Sequence, residues 1–194
     1  MLNKKVIIVG AGEQGAVALN CLAYHKDMEF AGFLDDSISS DKNSKVLGKV
    51  DDHINFKDHY FHVAIGKNPA RKKLFDILRK GGCKFVSLIH PRALIEAGVS
   101  IGENVFVGAN AYINIGSSIG DNTIINNGCI VEHDNIVGSH CHLTPGVVTG
   151  GGVVIEDGVF VGLNSTIRDH IKIGQNNFIK MGSIIIGDIE DKNI

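Results

Sequence analysis

From Ile95 to Ile185 an aliphatic residue returns at every sixth position: Ile95, Ile101, Val107, Ile113, Ile119, Ile125, Val131, Val137, Leu143, then Ile155, Val161, Ile167, Ile173, Ile179 and Ile185, with Thr149 the single interruption. A helix cannot bury a period of six on one face, and a simple strand alternates in twos. A triangular parallel β-helix can. Each six-residue unit forms one flat side, its aliphatic residue points inward, and the tight corners call for Gly, Asn or Asp. Four residues after each aliphatic position comes a generally small or β-branched one, such as Ala111, Ser117, Thr123, Cys129 and, in the same register, Asn135. Glycine often follows the aliphatic residue directly, as at Gly102, Gly108 and Gly120. Three units make a coil of about 18 residues, so this half supplies roughly five coils in a prism on the order of 25 Å tall.

Residues 1–88 obey a different rule. Val6 to Val9 is a short β-rich run entering the turn Gly10-Ala11-Gly12-Glu13-Gln14-Gly15, and Ala16 to Tyr24 has helical apolar spacing. Phe30 to Leu34 reads as a second strand ending at Asp35-Asp36, followed by a polar loop. Tyr60 to Ile65 reads as a third strand ending at Gly66, Pro69 to Arg79 as a helix, and Lys84 to Leu88 as a fourth strand. Strand and helix in alternation argue for a small Rossmann-like parallel sheet built from βαβ units. The expected organisation is an α/β domain over 1–88 and a β-helix over 89–194.

A formal net charge of -2 on 194 residues gives no basic footprint for nucleic acid or an anionic membrane. The apolar run at the N-terminus stops after four residues at a glycine turn, too short for a secretion signal, and no stretch approaches the roughly 20 apolar residues of a membrane span. Cys21, Cys83, Cys129 and Cys141 form no CxxC pair, which points to free thiols and a reducing cytoplasm.

The order of features is the more specific signal: an early GxGxxG turn, Phe33-Leu34-Asp35-Asp36, Ala64-Ile65-Gly66, Leu88-Ile89-His90-Pro91 just before the repeat, and Glu132-His133-Asp134 inside it. In this order and over nearly its whole length the sequence resembles the bacterial sugar O-/N-acyltransferases. Their members include N-acetyltransferases of nucleotide-linked 4-amino sugars and proteins similar to sialic acid O-acetyltransferases. The resemblance implies a left-handed β-helix, acetyl-CoA as co-substrate with no metal, direct acetyl transfer to the 4-amino group of a UDP- or dTDP-linked amino-deoxy sugar, and a homotrimer with active sites at its interfaces. It implies His133 as general base with Asp134 orienting it. A neutral imidazole near pH 7 suits removal of a proton from a sugar ammonium. By the same resemblance His142, Gly151, Leu163, Met181 and Gly182 line the acetyl-CoA site, Met181 standing where a relative has glycine. Gly12, Glu13, Gln14 and Gly15 hold the diphosphate, Asp35 and Asp36 the nucleoside, and Gly66 the pyrophosphate or sugar. Backbone N–H groups at a helix start suit a diphosphate on physical grounds. Relatives run on past a segment like Ile189-Glu190-Asp191 into a further strand, whereas this sequence ends at Ile194.

Cys129, close to His133, occupies an inward position of the repeat and reads as core rather than nucleophile. Three other functions compete: O-acetylation of sialic acid or another sugar, a non-catalytic trimeric scaffold that binds nucleotide sugars, and a γ-type carbonic anhydrase on the same prism. The last needs two histidines five residues apart, a spacing that His133, His140, His142 and His170 do not offer.

Overall fold

The computed structural model describes residues 3–37 and 45–192. Most of the polar loop expected after Asp36 lies outside the described residues. The chain divides into two compact units, Met1–Leu88 and Ile89–Ile194.

The first unit runs β1 (Lys4–Val9), α1 (Glu13–Leu22), β2 (Met28–Leu34), β3 (Val46–Gly48), a 3-10 turn (Val50–Asn55), β4 (Tyr60–Val63), α2 (Asn68–Lys80) and β5 (Lys84–Phe85). The sheet is parallel throughout in the order β3-β2-β1-β4-β5. Val6 to Val9 are wholly buried, as the continuous apolar run of a central parallel strand requires. Helix α2 begins where Pro69 sits in its first turn, a position at which the missing N–H costs nothing. It buries Arg71, Phe75 and Leu78 at helical spacing.

Two strand expectations need correction, and one strand is unexpected. The third strand ends at Val63 rather than Ile65, because the buried Arg71 guanidinium takes the carbonyls of Ile65 (2.9 Å) and Gly66 (3.3 Å) out of the ladder. The segment Lys84 to Leu88 is not one strand: Lys84–Phe85 pairs with β4, and Leu88–Ile89 is the first short strand of a separate sheet. Strand β3, three residues with only Val46 buried, was too short to register in the sequence.

His62 on β4 is 1% exposed, and Nδ1 donates to the Val86 carbonyl at 3.0 Å. Burial, with the positive Arg71 nearby, pushes its pKa down to about 4. The folded state therefore refuses a proton that the unfolded chain accepts near pH 6.5. Stability is unaffected above pH 6.5, is lost as the pH falls from 6.5 towards 4, and is fully forfeited below that, by about 3 kcal/mol. His62→Gln is expected to flatten this acid limb in urea unfolding at pH 7 and pH 5. An unchanged limb would show that another group sets it.

In the second unit sixteen two-residue strands, Leu94–Ile95 through Ile184–Ile185, end on the sixteen repeat positions named above, Thr149 included. They stack into three parallel sheets, each joining residues 18 apart, as in Tyr112↔Ile130 and Ile124↔His142. The aliphatic residues fill the prism, from Val107 to Ile173 at 3% exposure or less, each contributing roughly 1.5–3 kcal/mol. Every sixth residue from Gly98 to Gly182 turns a corner at positive φ. Seven of these fifteen are Gly and five Asn, the residues that tolerate the left-handed region. The exceptions are Asp134, His140 and His170. At His140 the ring Nδ1 lies 2.8 Å from the Asn122 amide, which in turn accepts from Asn104, so a polar ladder follows that corner.

Candidate active site

The repeat brings His133 and Asp134 to one corner of the prism, just after the strand Ile130–Val131. Asp134 turns the corner at φ 58°, and this conformation swings its carboxylate back to His133, whose Nδ1 donates to Oδ2 at 2.9 Å. Both side chains are solvent-exposed. The hydrogen bond to Asp134, reinforced by the charges of Asp134 and Glu132, holds the imidazole pKa above its ordinary value. With Nδ1 carrying the proton, Nε2 presents the basic lone pair.

The neighbours one coil away shape this pair. A Cβ on Gly151 would lie 2.5 Å from Cε1 and Nε2 of His133, so the imidazole rests in the space of a missing side chain. Below, a Cβ on Gly116 would meet the Asp134 carboxylate at 2.3 Å. Above, the ring of His170 leans on Gly152. Glu132 contributes too: its carboxylate accepts from the Asn114 amide at 2.7 Å and from the His133 backbone N–H at 3.3 Å. Gly116 was not singled out from the sequence, and Glu132 entered there only as part of Glu132-His133-Asp134, without a role. The signal that finds Gly116 is the coil length, since residues 18 apart stack.

The residues expected to line the acetyl-CoA site fall at separate places on the prism. Gly151 stands at the His133 corner. His142 lies on a different face, 7% exposed rather than projecting into solvent, with Nε2 3.3 Å from the Asn126 amide and its ring edge-on to Phe160. Phe160 in turn stacks on Phe178 at 4.8 Å. Leu163 and Met181, 18 residues apart, and Gly182 occupy a third region, at the corner after the Phe160–Val161 and Phe178–Ile179 strands, where Met181 is 72% exposed. Cys129 is inside the prism beside the carbonyls of Leu143 and Thr144, and burial pushes its thiol up to about 11, which leaves no thiolate for nucleophilic work.

In the first unit the expected ligands converge on one sheet edge, the carboxyl ends of β1, β2 and β4. This is where the strand order changes direction and open α/β sheets bind ligands. Gly10 packs so closely on Ala64 and Ile65 that a Cβ there would clash with both, and Gly15 approaches the Gly10 carbonyl in the same way. Gly12 caps α1, Glu13 opens its first turn in solvent, and Gln14 follows half-buried. Asp35 accepts from the Ala11 N–H and the Ser37 N–H, both at 2.8 Å, and Asp36 from the Val50 N–H at 2.9 Å. These carboxylates thus shape the loops as well as facing the edge. A Cβ on Gly66 would meet nothing, and Arg71, also bonded to Asn68 Oδ1 at 2.9 Å, fixes the loop that carries it. Among the described residues no group of three or more His, Cys, Asp or Glu could hold a metal ion, and no helix is long and apolar enough to cross a membrane.

Residues 5–78 match the model of the PglD N-terminal domain, and residues 93–133 and 152–187 that of the hexapeptide repeat of succinyl-transferase. The chain is 32% identical over 112 residues to UDP-N-acetylbacillosamine N-acetyltransferase of Bacillus subtilis, a match that takes in 55% of this chain and 52% of that protein. Among solved structures it is similar to PerB from Caulobacter crescentus in complex with CoA and GDP-perosamine, at 31% identity and TM-score 0.91 over 97% of this chain and 91% of that one. A histidine-to-asparagine mutant of perosamine N-acetyltransferase from Caulobacter crescentus, in complex with CoA and GDP-perosamine, gives 30% and 0.92 over the same shares. The acetyltransferase domain of PglB from Neisseria gonorrhoeae follows at 27% and 0.90, over 96% and 93%.

Proposed function

Because this chain belongs to the bacterial sugar O-/N-acyltransferase family, whose left-handed β-helix follows a PglD-type domain, we propose that it transfers an acetyl group from acetyl-CoA to the 4-amino group of a nucleotide-linked amino-deoxy sugar. The observation that carries this reading is the His133–Asp134 pair at 2.9 Å on an exposed corner. Nε2 of His133 takes the proton from the sugar amine as its nitrogen attacks the thioester carbonyl. The tetrahedral intermediate then expels CoA thiolate as the C–S bond breaks, and the imidazolium returns the proton to sulfur. Asp134 fixes the tautomer and stabilises the imidazolium. Transfer is direct, and Cys129, deep in the core, takes no part.

The acetyl-CoA site comprises Gly151, His142, Leu163, Met181 and Gly182. Their spread over three regions of one prism supports a site assembled between neighbouring copies in a homotrimer, with His142 of one subunit completing the site begun by His133 of the next. A donor there would stabilise the developing oxyanion. The nucleotide diphosphate binds at Gly12 to Gly15 over the positive end of α1, with Asp35, Asp36 and Gly66 around it, in what we take to be the nucleotide-sugar-binding domain of a cytoplasmic enzyme.

The test is thiol release from acetyl-CoA with GDP-, UDP- and dTDP-linked 4-amino-4,6-dideoxy sugars and with free sialic acid. Release with one amino-sugar nucleotide supports the reading and names the acceptor. Release with sialic acid alone would move the assignment to O-acetylation. Silence across the panel, with nucleotide-sugar binding intact by calorimetry, would favour the scaffold.

A further inference from the structure

The one position where the repeat abandons an aliphatic residue, Thr149, stacks one coil beyond Val131 and so lies beside the segment that carries His133. The ladder is interrupted at the same place. Between Ile130–Val131 and Val148–Thr149 only Ile130↔Val148 is paired, whereas the coils on either side pair both residues. At the equivalent steps the backbone N–H of Glu96 donates to the Ile113 carbonyl and that of Asn114 to the Val131 carbonyl. The Glu132 N–H instead donates to the Thr149 hydroxyl at 3.2 Å.

Around that hydroxyl is a buried polar cluster. Thr149 is 1% exposed and Asn135, at a position the repeat fills mostly with small or β-branched residues and once more with asparagine, at Asn177, is wholly buried. The Asn135 amide donates to Thr149 Oγ1 (3.1 Å), to the Gly150 carbonyl (3.0 Å) and to the Glu132 carbonyl, while its oxygen accepts from the Val153 N–H (2.9 Å). The hydroxyl of Ser117, one coil below, also donates to the Glu132 carbonyl at 2.8 Å. Both backbone polar groups of Glu132 are thus held from inside the prism, immediately before the residue whose imidazole must be aimed. Buried polar groups cost stability unless fully bonded, and an apolar residue at 149 would suit the core better.

We propose that Thr149 and Asn135 are positioning residues for the acetyl transfer. They displace the corner from regular β-helix geometry and fix the Glu132–His133 peptide, and with it the direction of Nε2. This rests on the general-base role given to His133 above. A buried threonine elsewhere in the prism supplies the control. At another corner Thr123 makes the bonds that Ser117 makes here, its hydroxyl to the Gly138 carbonyl (2.8 Å) and the Cys141 N–H to its oxygen (3.0 Å), with no His–Asp pair beside it.

Thr149→Val restores the regular repeat and is expected to lower kcat tenfold to a hundredfold, the effect of misplacing a catalytic group by about 1 Å. The KM values for acetyl-CoA and for the acceptor identified by the panel should stay within about twofold, Thr149→Ser should restore kcat to within about threefold, and Thr123→Val should keep it. A wild-type kcat in Thr149→Val, or an equal loss in Thr123→Val, overturns the proposal. If Thr149→Val does not fold, Asn135→Ser decides by the same split between kcat and KM. The imidazole titration of His133 followed by NMR is a readout independent of turnover. A fall towards the ordinary histidine value in Thr149→Val supports the proposal and an unchanged titration overturns it, even if the wild-type protein transfers no acetyl group to any acceptor tried.

Discussion

Replacing His133 with alanine is expected to lower kcat by roughly 10²-fold or more, while calorimetry still detects nucleotide-sugar binding at its original affinity. The imidazole is exposed on a corner of the prism and the expected diphosphate ligands are residues of the first unit, so the substitution deletes a proton acceptor and none of those ligands. Melting temperature should hardly move, because an exposed ion pair contributes little. The pH dependence gives the assignment a second signature. A general base works only when deprotonated, and the hydrogen bond to Asp134 holds the imidazole pKa above its usual 6.5. The acid limb of kcat against pH should therefore lie above 6.5, and in Asp134→Asn it should move to lower pH. Asparagine already occupies five positive-φ corners of this prism, so that variant keeps the backbone while losing the charge. Full activity of His133→Ala would end the general-base assignment.

Gly151→Ala should be nearly as damaging, with kcat reduced about tenfold to a hundredfold. The backbone at Gly151 is not at positive φ, so alanine brings no conformational strain there. The whole effect comes from one methyl group placed 2.5 Å from Cε1 and Nε2 of His133. The imidazole must swing aside, and the 2.9 Å bond to Asp134 breaks or the ring turns its basic nitrogen away. Circular dichroism and the oligomeric mass should be unchanged while turnover falls. A variant with wild-type kcat would show that the ring has another productive position. The resemblance gave Gly151 to the acetyl-CoA groove; its contact with His133 gives it a second reason to lack a side chain.

Much of this architecture is legible in the chain itself. Period six, three units to a coil and polar or glycine corners follow from local rules, because each six-residue unit repeats one backbone conformation and the inward aliphatic residue is dictated within that unit. The glycine turn, the helix starting beside it and the position of Gly66 after a buried strand are similarly local. The sequence also set His133 and Asp134 side by side, and the left-handed conformation of Asp134 brings the carboxylate round to the ring.

Stacking decided the rest. Which glycine lies beneath Asp134 and which beside His133 depends on contacts between residues 18 apart. In the sequence Thr149 is a lapse in the repeat and Asn135 one more inward position of its register; in the stacked coils both bond Glu132. His142 belongs to a different face from His133 although nine residues separate them, because half a coil of chain turns through the corner between. The short strand β3 and the break between Lys84–Phe85 and Leu88–Ile89 are tertiary outcomes too, since two or three residues form a strand only where a neighbouring strand supplies its hydrogen bonds. A periodic sequence specifies the conformation of each unit; only the register of one coil upon the next specifies which side chains meet.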